Sequence, residues 1–147
     1  MQFFCSNIHE LTALDLHELY KLRTDVFVVE QDCPYEEIDA IDALKSTIHI
    51  RAIEAGQLVG TARVFPRDGM SVIGRFAVHP DFRGTGLAQD LMHQALSLTE
   101  GSVWIAAQAA LEGYYRQFGF EPCGELFDDA GIMHRPMLRP AAPHAQQ

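Results

Sequence analysis

"HPDFRGTGLAQDLMHQAL", His79 to Leu96, decides how the rest of the chain is read. A compact Arg-Gly-x-Gly turn stands between an apolar run, "SVIGRFAV" (Ser71–Val78), and an apolar-periodic segment. His79-Pro80 closes the run as a strand, because proline has no N–H to give to a ladder. After the turn, Leu87, Ala88, Leu91, Met92, Ala95 and Leu96 recur with helical period and form one apolar stripe. Gly84 and Gly86 lack Cβ. A helix start exposes its first backbone N–H groups and the positive end of its dipole. An anion can therefore come close to this backbone, with a pyrophosphate as the natural guest and Arg83 adding positive charge. A strand-to-helix turn can also use glycine for conformation alone, so the pair by itself does not choose. Two other phosphate fingerprints are missing: there is no GxxxxGK-S/T loop, and the three-glycine dinucleotide motif is incomplete.

Outward from that turn, the chain alternates strand and helix signals. "QFFCSNI" reads as a first strand. From Leu14 to about Val28, the positions of Leu16, Leu19, Tyr20, Leu22, Val26 and Phe27 predict an amphipathic helix. "EQDCPYEEIDAID" breaks the period at Pro34 and predicts a loop with at most a short helical turn. "TIHIRAIEAGQLVGTARVFP" predicts two strands joined around Ala55-Gly56-Gln57, and "SVIGRFAV" adds a third to the meander. "SVWIAA" is a buried-type strand, "ALEGYYRQF" a short helix capped by Gly119, and "EPCGELF" with "IMHRPML" a closing hairpin. The order β-α-βββ-α-β-α-ββ predicts a mixed α/β fold with flanking helices. One domain is expected over residues 1–139, followed by a flexible tail at 140–147.

Composition narrows the function. A length of 147 residues suits one core. The formal net charge of −9 repels phosphate backbones and anionic lipid, so no nucleic-acid or membrane partner is expected. Three cysteines, Cys5, Cys33 and Cys123, lie far apart without a CxxC pair, which reads as free thiols in a cytoplasmic protein. The first ten residues lack the basic and apolar regions of a leader. The histidines form no metal-ligand set, so no metal is expected.

"RGTGLA" (Arg83–Ala88) resembles the R/Q-x-x-G-x-G/A signature of the GNAT family of N-acetyltransferases. "QAALEGYYRQFGF" (Gln108–Phe120) is similar to the second signature of that family, N-x-x-A-x-x-x-Y-x-x-x-G-F. Gln108 stands for the Asn and Leu111 for the Ala, while Tyr115, Gly119 and Phe120 match. "LRTDVFVVEQDCPYEEID", "IGRFAV" and "DDAGIMH" add a likeness to the ElaA-like branch. The resemblance covers roughly residues 1–138. It implies a GNAT fold and acetyl-coenzyme A as cosubstrate. Arg83, Gly84, Thr85, Gly86, Leu87 and Ala88 would hold its pyrophosphate. Phe76, Ala77 and Val78 would meet the pantetheine arm and thioester carbonyl through their backbone, and Gln108, at the start of the second signature, would be a further cofactor contact. It also implies that Tyr115 protonates or hydrogen-bonds the departing sulfur, which a phenol protonated at neutral pH can do.

The base is less legible. Family members often carry a glutamate early on the strand that here reads "SVI". Glu30, in the apolar setting of "VFVVEQ", is a candidate if burial raises its pKa. His49 and His79 are the others. Arg63 and Arg75 interrupt apolar strands and need anionic partners, with Asp25, Glu30 or Asp39 available and Glu30 the first choice. They serve either a structural ion pair, the favoured reading, or a clamp for a substrate carboxylate. The acidic run Glu36, Glu37, Asp39, Asp42 reads as a solvated loop.

The expected activity is transfer of acetyl from acetyl-coenzyme A to a primary amine, small-molecule or peptidyl, in a ternary complex. Alternatives are a catalytically silent coenzyme A sensor and an acyl-transfer synthase of the homoserine-lactone type. Assembly as a homodimer is left open.

Overall fold

The structure, a computed structural model, describes residues 1–32 and 36–141. Cys33 and Pro34 of the expected loop, and 142–147 of the expected tail, lie outside the described residues. Eight strands form one mixed sheet in the order β1-β2-β3-β4-β5-β8-β6, with β7 also paired to β8. The strands are β1 (Gln2–Ser6), β2 (Ile48–Glu54), β3 (Gln57–Arg67), β4 (Met70–Val78), β5 (Val103–Gln108), β6 (Glu121–Pro122), β7 (Phe127–Asp129) and β8 (Ile132–Arg139). The helices are α1 (Ala13–Thr24), α2 (Leu87–Ser97) and α3 (Glu112–Arg116).

The two larger helices pack on different clusters. The stripe of α2 brings Leu87, Leu91, Met92 and Ala95 onto β2, β3 and β5. Gly60 on β3 permits that approach, since a Cβ there would stand 3.0 Å from the Leu91 side chain. Leu19 and Leu22 of α1 pack with Val26, Leu58 and Ala77. Thr12 caps α1 by accepting from the amide of Asp15. Beyond Thr24 the helix does not stop but widens over Asp25–Glu30 into a π-helical turn, in which the Gln31 amide donates to the Val26 carbonyl. Such turns lodge an extra residue per turn and change the direction of the side chains beyond them.

The expected closing hairpin is corrected. "EPCGELF" is not one strand but two short ones, β6 against Leu138 and Met137, and β7 against His134 to Ile132. The interruption lies opposite Pro136, which has no N–H to offer. A Cβ on Gly124 would fall 2.7 Å from the Pro136 ring, so the chain crosses it with glycine.

The sheet opens in its middle. β4 and β5 run parallel and pair only at Ser71–Val103 and Val72–Trp104, after which they diverge. A bulge on β4 accompanies the divergence. Thr61 faces Ala77 while Arg63 faces Gly74, so two residues of β4 oppose one of β3. One of the two is Arg75 at φ 54°, a left-handed conformation uncommon for a residue with a side chain.

Candidate active site

The gap between β4 and β5 is a cleft of ≈ 770 Å³. Phe76, Val78, Arg83 and Ala88 line one side of it, and Gln108 and Tyr115 lie across the gap. Of the sequence-predicted cofactor residues, Phe76, Val78, Arg83, Ala88 and Gln108 thereby line the same cleft as the predicted tyrosine.

At the rim, Gly84 and Gly86 have φ of 75° and 89°, and no atom lies within 4 Å of where a Cβ would be built on either. Gly86 is the N-cap of α2 and offers no capping side chain, so the amides of the first turn are left to an external acceptor. Leu87 contributes only backbone here, since its side chain is buried in the core. Thr85 spends its hydroxyl on the Phe82 carbonyl at 2.6 Å, which fixes the turn. Ala77 faces α1, so it too can meet the cleft only through its backbone. These residues fit an anionic phosphate: open space, free amides and a nearby guanidinium.

That guanidinium is already engaged. Arg83 Nη1 and Nη2 donate to Glu30 at 2.5 and 2.7 Å, and Arg83 also donates to the Val78 carbonyl. The reading of Glu30 as a desolvated base is corrected. Its side chain is 42% exposed, and the hydrogen bond from Arg83 holds its carboxyl below the usual value. A carboxylate so paired is a poorer proton acceptor. His49 is corrected as well. It is 1% exposed, its Nε2 meets the Asp42 carbonyl at 3.1 Å, and burial lowers its pKa. It does not reach the cleft as a base or as a substrate contact. His79 is used locally, its Nδ1 accepting from the Asp81 amide at 3.1 Å.

Arg63 and Arg75 do border the cleft, but as members of a buried ion network. Arg63 Nη1 donates to Asp39 at 2.7 Å and to Asp42 at 3.0 Å. Arg75 Nε lies 2.8 Å from Glu37 and its Nη2 lies 3.5 Å from Asp39. Asp39 is one of the expected partners. Glu30, the first choice, is not one, and Asp25 pairs instead with Lys21. The substrate-clamp reading gives way to the ion-pair reading, since these donors already face carboxylates. The acidic run is corrected in the same stroke: Glu37 is 4% and Asp42 1% exposed. The centre of the network, Arg23, is a residue that sequence reasoning misses. It is 1% exposed on the core side of α1 and donates to Glu37 at 2.7 Å and to Asp42 at 2.8 Å. Its signal is a charge at a buried helical position, one turn from Leu19 and next to Leu22.

Tyr115 is packed against Tyr114 and Phe120, edge to face. Burial pushes its phenol up to about 12. It is therefore a protonated donor at every ordinary pH.

One further histidine lines the cleft. His134 on β8 stands opposite Gln108 and stacks on Phe127 with ring centres 5.7 Å apart. In the sequence it is distinguished only by its lack of metal-ligand company.

Comparison with known proteins bears on the fold and the family. A family model described as an acetyltransferase (GNAT) domain matches residues 17–139. Protein ElaA of Escherichia coli is 38% identical over 138 residues, covering 88% of this chain and 90% of its own length. A UPF0039 protein of Mycobacterium tuberculosis is 40% identical over 144 residues, covering 94% and 92%. Among solved structures, an acyl-CoA N-acyltransferase from Pseudomonas aeruginosa superposes with a TM-score of 0.88 at 37% identity, over 94% of this chain and 98% of that one.

Proposed function

Because the chain belongs to the GNAT acetyltransferase family, we propose that it moves an acetyl group from acetyl-coenzyme A to a primary amine by direct transfer in a ternary complex. The observation that carries this reading is the parting of β4 from β5, with the glycine turn on one side and the Tyr115 phenol in the same cleft. Beyond Val72 the backbone of β4 has no partner on β5. There, at Phe76 and Val78, β4 lines the cleft and would bond the amides of an extended arm, as an added strand would. The first-turn amides of α2 hold the phosphate end of the cosubstrate. Phe76 and Val78 supply the wall along which the thioester lies. Tyr115 donates its proton to the sulfur as the carbon–sulfur bond breaks, so that the leaving group departs as a thiol.

The test is release of free thiol from acetyl-coenzyme A across a panel of amines, small and peptidyl. Turnover with at least one amine supports the reading. Tight coenzyme A binding with no turnover on any amine would favour a sensor. Turnover confined to acyl donors longer than acetyl would favour a synthase of the homoserine-lactone type.

A further inference from the structure

We propose that His134 is the general base that takes the proton from the acceptor amine, an assignment that rests on the acetyl-transfer reading above. The need is plain from the site. An alkyl ammonium titrates near ~10 and must lose a proton to become a nucleophile at neutral pH. The carboxylates bordering the cleft are ill suited. Glu30 is held by Arg83, and Asp39, against its partial burial, by Arg63 and Arg75, so both stay charged and weakly basic. Asp129 sits exposed at the end of β7, and a solvated carboxylate is a weaker base than an imidazole.

His134 has three features that a base requires. It borders the cleft from β8, paired across from Gln108 of β5. Its ring plane is fixed by the Phe127 stack, 25° from parallel. Its tautomer is set as well: Nδ1 lies 2.8 Å from the Ile132 carbonyl. A carbonyl only accepts, so Nδ1 carries the hydrogen and the neutral ring keeps its lone pair on Nε2. The charged and titratable groups around it are Asp128 and Asp129 on β7, Arg135 on β8 with its partner Glu112 on α3, and Tyr114 and Tyr115.

In the step itself, Nε2 takes one proton from the ammonium and passes it to solvent, the neutral amine nitrogen bonds to the thioester carbonyl carbon, and Nε2 takes the second proton that this nitrogen sheds. The electron pair of the broken carbon–sulfur bond stays on sulfur and takes the Tyr115 proton. Amide and thiol are the products. The phenolate recovers a proton from solvent, and the imidazolium returns one to it.

The experiment compares wild type with His134→Gln, whose side-chain amide can still donate toward the Ile132 carbonyl. At pH 7 kcat/KM for the acceptor should fall by ~10²–10⁴-fold, with coenzyme A affinity by calorimetry and the melting temperature unchanged. The deficit should shrink as pH rises toward the pKa of the amine, and added imidazole should restore part of the rate of His134→Ala. A folded His134→Gln protein with the wild-type rate under chemistry-limited conditions would overturn the proposal. So would a loss that is uniform with pH and indifferent to imidazole, the mark of a purely structural residue. Wild type inert toward every amine would sink this proposal together with the acetyl-transfer reading. An active wild type with an equally active variant would sink this proposal alone.

Discussion

Tyr115 is the residue whose role can be isolated most cleanly. Its packing against Tyr114 and Phe120 holds the ring, and burial keeps the phenol protonated with a pKa of about 12. A donor of this kind matters chiefly when charge develops on the sulfur, so its loss belongs to the transition state and not to cosubstrate binding. Tyr115→Phe should lower kcat by ~10²–10⁴-fold while leaving the coenzyme A dissociation constant where it was. Steady-state rates beside calorimetry separate the two quantities. An equal loss in both would make the hydroxyl a binding group instead. Tyr115 is readable in sequence through its place in a motif. Glu30 and Arg83 are each legible as charged residues near the cleft, but not as a pair, since 53 positions separate them.

At the scale of elements, the segment between α1 and β2 is the informative one. Its carboxylates Glu37, Asp39 and Asp42 fold inward onto Arg23 of α1, Arg63 of β3 and Arg75 of the β4 bulge. The network ties three elements together and anchors the side chain of Arg75 where its backbone is strained. Removing one charge of a buried set strands the others, at a cost of ~3–5 kcal/mol. Asp42→Asn should therefore lower the melting temperature by roughly 10 °C. A variant that melts like wild type but shows a raised acceptor KM would instead return these residues to a substrate role.

The pH dependence of stability has a definite sign. Burial alone would raise Asp42, but the hydrogen bond and charge of Arg23 outweigh it and hold the carboxyl at about 2; Asp39 is also lowered. Their contribution is complete above the ordinary carboxylate value of ~4 and is lost as pH falls from there toward 2. His49 is kept neutral by burial, whereas in the unfolded chain it binds a proton below ~6.5. It therefore adds an earlier, shallower loss on the acid side of ~6.5. Thermal melts from pH 7 to pH 2 should show both limbs, and the lower one should weaken in Asp42→Asn.

For the whole molecule, the parted sheet predicts a linkage between ligand and fold. In the proposed reading α2 and β4 would present the phosphate and pantetheine contacts, and both belong to the main hydrophobic cluster. A ligand bound only by the folded state at 100 times its dissociation constant stabilises by ~2.7 kcal/mol. For a domain of this size that is a rise in melting temperature of ~5–10 °C. Coenzyme A should produce it, and dephosphorylated pantetheine at the same concentration should produce much less, because the α2 amides would have no anion to hold. Equal shifts from the two would argue against the glycine turn as the phosphate site. No described helix is long and apolar enough to cross a membrane.

Sequence alone determined the element order as far as α3, the strand-turn-helix around Gly84 and Gly86, and the place of Tyr115 within a motif. These depend on neighbours along the chain: apolar period, a proline that ends a ladder, glycines that permit positive φ. Tertiary structure decided what lay across the chain. It turned an acidic loop into the buried partner of three arginines, because a carboxylate is solvated or paired according to what the sheet places beside it. It split the expected closing strand into β6 and β7, because Pro136 on another strand withholds a donor. It removed Glu30 as a base by giving it Arg83, and brought His134 to the cleft through the pairing of β5 with β8. A histidine's or carboxylate's chemistry is set by its partners and its access to the cleft, and neither is a property of the residues adjacent to it in sequence.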